Sequence, residues 1–131
     1  MMKTELWYLA LAAAFTGLLW FPYVLDRTKV WGLADTVGYP ANPKPLSPWA
    51  ERLRKAHANA VENLVVFATL VLVANAAGIS GGMVATAAVL YFWSRVVHAV
   101  SYTAAWPWVR TLGFTGGWVA CVLVAWAILV R

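Results

Sequence analysis

The sequence predicts an all-α integral membrane protein, a bundle of four spanning helices in a single domain covering residues 1–131. Two observations carry that class. Hydrophobic residues make up 63% of the chain and charged residues 11%, against roughly 45–50% and about 25% in soluble globular domains. A soluble fold of this length has too high a surface-to-volume ratio to hide so much apolar surface. The apolar residues are also gathered into four stretches near the length needed to cross a bilayer, about 20 residues at 1.5 Å rise each. The same composition excludes a disordered chain. The lone Cys121 excludes an intrachain disulfide framework and a multi-cysteine metal site. The net charge of +5 could serve nucleic acid, but beside nine Trp it reads as the cytoplasmic bias of a membrane protein.

The first span is expected at about 6–25, free of charge along its length and flanked by Trp7 and Tyr8 at one end and Trp20 and Tyr23 at the other, as interfacial anchors. Ala12 and Ala14 form an A-x-A pattern, but the apolar run continues past them, so a retained helix is expected over a cleaved signal peptide. A loop follows from about Asp26 to Ser47, its second half kept from helix by Pro40, Pro43 and Pro45. Ser47-Pro48 reads as N-cap and first helical position, with Glu51 in the opening turn of a second helix over about 48–77. Gly78-Ile79-Ser80-Gly81-Gly82 forms a tight uncharged turn into the third span, about 83–103. Trp106-Pro107-Trp108 is expected to close that helix, and the fourth span covers about 111–130.

Basic residues set the expected orientation. Arg27, Lys29, Lys44, Arg52, Arg54, Lys55 and Arg110 lie on the side of the first and third loops, against Lys3 and Arg131 on the other. The first and third loops are therefore expected in the cytoplasm, with both termini opposite.

Polar residues inside the spans are costly, about 2.5–3.5 kcal/mol for Arg, Lys or Asp at mid-bilayer, and by default mark function. Two stripes stand out. Arg52, Lys55, Asn59 and Glu62 are spaced three, four and three along one face of the second helix, with Asn63 at its edge. Tyr91, Arg95, His98 and Tyr102 are spaced four, three and four along the third. Glu62 and Arg95 lie roughly 15 and 13 Å in from the cytoplasmic ends of their helices, so the two are expected to pair. His57 faces away from the stripe, and Asn75 suits a helix–helix hydrogen bond. Cys121 reads as inert packing, and Gly113, Gly116 and Gly117 as close helix contact. The cations Arg52, Lys55, Arg95 and Arg110 outnumber the acid, Glu62, so the expected cavity holds a small anion, with Asn59, His98, Tyr91 and Tyr102 adding directional hydrogen bonds. The apolar faces beside it would admit a lipophilic second molecule from the bilayer.

At these residues the chain resembles a known family. Glu51-Arg52-Leu53-Arg54-Lys55-Ala56-His57-Ala58-Asn59-Ala60-Val61-Glu62-Asn63 resembles the E-R-x-x-R-A-H-x-N-x-x-E-N segment of microsomal glutathione transferases. Arg95-Val96-Val97-His98 with Tyr102 and Arg110 is similar to the R-x-x-H-x-x-x-Y…R pattern of the same proteins and of microsomal prostaglandin E synthase. This is the MAPEG family, membrane-associated proteins in eicosanoid and glutathione metabolism. The resemblance implies a homotrimer binding glutathione as co-substrate between subunits near the cytoplasmic face, and a transferase or peroxidase acting on lipophilic electrophiles. It implies that Arg52, Lys55, Asn59, Glu62, Arg95, His98 and Tyr102 bind glutathione and that Arg110 is catalytic, stabilising the thiolate. No metal and no nucleic acid is implied. Lys55 stands where the family has arginine, losing the bidentate fork. Ala58 replaces a further arginine of the prostaglandin synthase, which argues against that activity. A family member that binds lipid without catalysis leaves a scaffold as the alternative. A transporter subunit with Glu62, Arg95 and His98 as an ion path is disfavoured, since such a path has no use for Lys55 and Asn59.

Overall fold

The computed structural model describes residues 1–130, and Arg131, counted above among the charges opposite the loops, lies outside them. Six helices are present: α1 Thr4–Leu18, α2 Trp20–Trp31, α3 Leu33–Val37, α4 Pro48–Ala76, α5 Gly82–Thr103 and α6 Pro107–Leu129. Among the described residues there is no strand. Taking α1 and α2 as one bent helix, four helices are long and apolar enough to cross a membrane, and the protein is an integral, multi-pass membrane protein.

The bend between α1 and α2 has a local cause. Pro22 lacks the N–H that would reach the Leu18 carbonyl, and its ring crowds that carbonyl. The Leu19 N–H instead takes a tighter bond to Thr16 O at 3.3 Å. Beyond the bend the helix runs to Trp31, six residues past the expected end at Leu25. The charged last turns stay helical because they are held from the side. Asp26 is buried and accepts hydrogen bonds from Ser47 N at 2.9 Å and Ser47 Oγ at 2.7 Å. Tyr23 Oη lies 2.8 Å from His57 Nδ1, tying α2 to α4. Arg27 lies over the Trp31 ring at 5.1 Å. The irregular stretch therefore starts at Gly32, interrupted by α3.

The start of α4 is as expected, with Ser47 at the N-cap and Pro48 first, although the Ser47 hydroxyl is used on Asp26 rather than on its own helix. The start of α6 is four residues earlier than expected. Pro107 opens it at the first helical position and Trp106 is its N-cap. A proline at that position sacrifices no intrahelical bond, so it begins a helix as readily as it ends one. The preceding α5 closes in a Schellman turn, with Trp106 N on Ser101 O at 2.8 Å and Ala105 N on Tyr102 O at 3.2 Å. Ala105 occupies the left-handed position usually given to glycine, at φ 62°. The α4 terminus uses the same turn with Gly78, at φ 73°, in that place.

α5 is the centre of the bundle and packs against α1, α4 and α6, most extensively α6. Two apolar clusters fill the interior. One gathers Ala12, Phe67, Val71, Ala74, Ile79, Val84, Tyr91 and Val124. The other gathers Leu19, Tyr23, Leu46, Ala50, Leu53, Ala60 and Ala99. Along α5 the polar pair Arg95 and His98, both 3% exposed, falls between them. The first cluster is closed at its outer end by a polar clasp. Glu5, 1% exposed, accepts from Ser80 Oγ at 2.6 Å and Gly81 N at 3.4 Å, and Lys3 Nζ donates to Asn75 Oδ1 at 3.0 Å. Asn75 thus links the chain start to α4 rather than helix to helix. The clasp also puts the N-terminus and the α4–α5 turn at one end of the bundle.

Candidate functional site

The site is built where α4, α5 and α6 meet. The buried face of α4 runs through Leu53, Ala56, Ala60, Phe67, Val71 and Ala74. At about 100° per residue, Asn59 and Asn63 lie on its flank, roughly 50–90° from the centre of that face. Asn59 is half-buried there and accepts a hydrogen bond from Arg95 Nη2 at 2.6 Å. Asn63 Nδ2 donates to Asn59 O at 2.8 Å and lies 3.3 Å from its Oδ1, fixing which way the Asn59 amide points.

α6 approaches α5 closely enough to cover Arg95 because it carries glycine at the contact. A Cβ on Gly113 would lie 2.9 Å from His98 N and 3.0 Å from Ser94 O, and one on Gly117 would lie 3.3 Å from Arg95 Cδ. The glycines are therefore close-contact positions, as the sequence suggests, and Cys121 packs against the first apolar cluster. Arg95 ends up with two hydrogen-bond partners, Asn59 and His98 Nδ1 at 3.3 Å. Its Nε and Nη1 are buried without a partner among the described residues. Arginine only donates, so His98 accepts at Nδ1 and carries its proton on Nε2.

In front of this buried arginine opens a cleft of about 370 Å³, lined by Asn59, His98, Tyr102, Arg110, Thr111 and Phe114. Arg110 stacks over the Tyr102 ring at 5.0 Å, and the His98 and Tyr102 rings meet edge to face at 5.5 Å. The cleft contains a guanidinium and no carboxylate, and the guanidinium behind it is short of acceptors. A group bearing negative charge is what this lining would hold.

Of the eight residues named from sequence, Asn59, His98, Tyr102 and Arg110 line the cleft and Arg95 backs it. Arg52 does not join them: its Nε donates to Thr103 O at 2.8 Å, and its guanidinium borders a separate hollow beyond Tyr102 and Arg110. Lys55 and Glu62 are exposed. The expected pairing of Glu62 with Arg95 is absent; the ion pair among the described residues is Arg54–Glu51, at 2.9 Å. The reason is angular. Lys55 and Glu62 lie roughly 130–150° round from the buried face of α4 at about 100° per residue, so the stripe straddles the edge of the bundle and only its Asn59 side turns inward. Tyr91 is likewise no part of the cleft: it is 1% exposed and stacks on Phe67 with ring centroids 3.8 Å apart. Thr111 and Phe114 were not anticipated, since neither is costly in a membrane and so neither stands out in sequence. His57 does face away from the cleft, onto Tyr23.

No curated protein and no solved structure matches the chain. The model of the MAPEG family matches residues 5–130, essentially its whole length. With four spanning helices and the α4 and α5 motifs in order, the chain belongs to the MAPEG family.

Proposed function

We propose that the protein is a glutathione-dependent membrane enzyme that conjugates or reduces lipophilic electrophiles. The observation that carries this reading is the cleft in which Asn59, His98, Tyr102 and Arg110 converge in front of the acceptor-poor Arg95. Glutathione is a small tripeptide with two carboxylates and a thiol, and a lining rich in donors and poor in acidic groups suits it. A free thiol, with a pKa near 8.5, is only a few per cent ionised at pH 7, and a guanidinium in a site of low dielectric favours the thiolate. On this reading Arg110 is that guanidinium, held in place by its stacking on Tyr102. The thiolate then attacks an electrophilic carbon delivered from the membrane; the carbon–sulfur bond forms as the leaving group departs with its electron pair. With a lipid hydroperoxide the thiolate takes the distal oxygen, the alcohol leaves, and a second glutathione converts the sulfenic acid to disulfide and water.

The same reading makes the protein a homotrimer whose first and third loops face the cytoplasm. Glu62 lies fourteen residues into the 29-residue α4 and is exposed. A bare charge at mid-bilayer costs about 2.5–3.5 kcal/mol on insertion scales, so a neighbouring copy covers this face and brings Lys55 and Glu62 to the ligand from across the interface. The test is a glutathione isotherm and a turnover assay with a chlorinated dinitrobenzene on the purified protein. Saturable binding with turnover is expected. Binding without turnover would leave the lipid-binding scaffold, and no binding would remove the glutathione reading.

A further inference from the structure

Arg52, which does not line the cleft, stands between two adjoining hollows, the first of which meets the cleft at Tyr102 and Arg110. The first, about 200 Å³, is polar and shared with Ser101, Tyr102, Trp106 and Arg110. The second, about 580 Å³, is an apolar groove where α1, α4 and α5 meet, lined by Phe15, Leu19, Trp49, Leu53, Val100 and Ala104 around Arg52. Arg52 Nε is fixed on Thr103 O at 2.8 Å, which sets the plane of the guanidinium, and among the described residues its two Nη groups have no hydrogen-bond partner. A fork held by one edge with both outer nitrogens free is shaped for phosphate or carboxylate oxygens. No acidic residue lines either hollow.

A soluble anion would satisfy the fork and leave the groove empty. An alkyl chain fills the groove but has no use for the fork. An amphiphile uses both. Trp49 borders the groove and Trp106 the polar hollow, both exposed, and indoles of this kind sit at headgroup level. We propose that Arg52 anchors the phosphate of an anionic membrane phospholipid whose acyl chain lies in the groove between α1, α4 and α5. This site does not depend on the glutathione reading, since neither Arg52 nor the groove residues line the cleft.

The test is native mass spectrometry of the intact protein in detergent, with dioleoyl phosphatidylglycerol, dioleoyl phosphatidylcholine or glycerophosphoglycerol added. Wild type is expected to retain phosphatidylglycerol about tenfold better than phosphatidylcholine, because the quaternary ammonium of choline offsets the phosphate charge beside the guanidinium, and not to retain the chain-free headgroup. Arg52→Gln is expected to abolish the preference. Ala104→Phe, at an exposed position in the groove wall, is expected to weaken phosphatidylglycerol retention with Arg52 intact. Unchanged preference in Arg52→Gln overturns the proposal, as does headgroup binding as tight as the lipid's, which would make this a soluble-anion site. A change in the number of assembled copies with lipid retention unaltered would also overturn it, by giving the groove to a second subunit. Should Arg52→Gln not fold, unchanged retention in Ala104→Phe overturns it alone.

Discussion

Asn59 Oδ1 is the short contact of the buried Arg95, and Asn63 braces the amide that supplies it. Asn59→Ala would leave a guanidinium that already has two partnerless nitrogens with only His98. A loss of about 1–3 kcal/mol is expected, read as a lower unfolding temperature in detergent together with weaker glutathione binding. Arg110→Ala removes a group at the rim, not one holding the fold. Glutathione binding is expected to persist while turnover falls roughly a hundredfold, the scale on which a charge-stabilising donor acts; equal rates in variant and wild type would take Arg110 out of the mechanism. These residues were legible in sequence because each is costly in a membrane. The partner of Arg95 was not. Asn59 and Glu62 are three residues apart, about 60° on a helix, and depth alone cannot say which of two such neighbours looks inward.

At the scale of elements, the contact of α5 with α6 decides how well Arg95 is covered. Gly113→Ala would drive a methyl into the His98 and Ser94 backbone, where nothing can rotate aside. A cost of about 1–3 kcal/mol is expected, visible as a lower unfolding temperature. Gly17→Ala is the control: its new methyl meets nothing within 4 Å, and helix propensity favours alanine by up to about 1 kcal/mol. Ala105 is the opposite case, a side chain in a left-handed C-terminal turn, and Ala105→Gly is expected to stabilise by about 0.5–1 kcal/mol. Hydrophobic length and the Ser47-Pro48 start placed the spans in sequence. The extension of α2 to Trp31 and the start of α6 at Pro107 escaped it, because the first depends on Asp26 meeting Ser47 across 21 residues and the second on a residue that starts and stops helices equally well.

For the molecule as a whole, composition sufficed to place it in a bilayer, since no local detail competes with 63% hydrophobic residues. Assembly is where one chain's own pattern leaves charge over, on the Lys55 and Glu62 side of α4. Glu62→Gln is expected to weaken glutathione binding about tenfold, the scale of a charged hydrogen bond, or to shift the proposed trimer toward smaller species in native mass spectrometry. If affinity and mass both stay at wild-type values, that face has no neighbour.

The clasp at the chain start also bears on the order in which the molecule is made. Glu5 leaves the ribosome early, but the hydroxyl it requires, on Ser80, comes 75 residues later. Until the hairpin of α4 and α5 has been inserted, α1 carries a carboxylate with no seat. The start of α1 is therefore locked only once the α4–α5 turn exists, while α6, which follows in the chain, is still to be added.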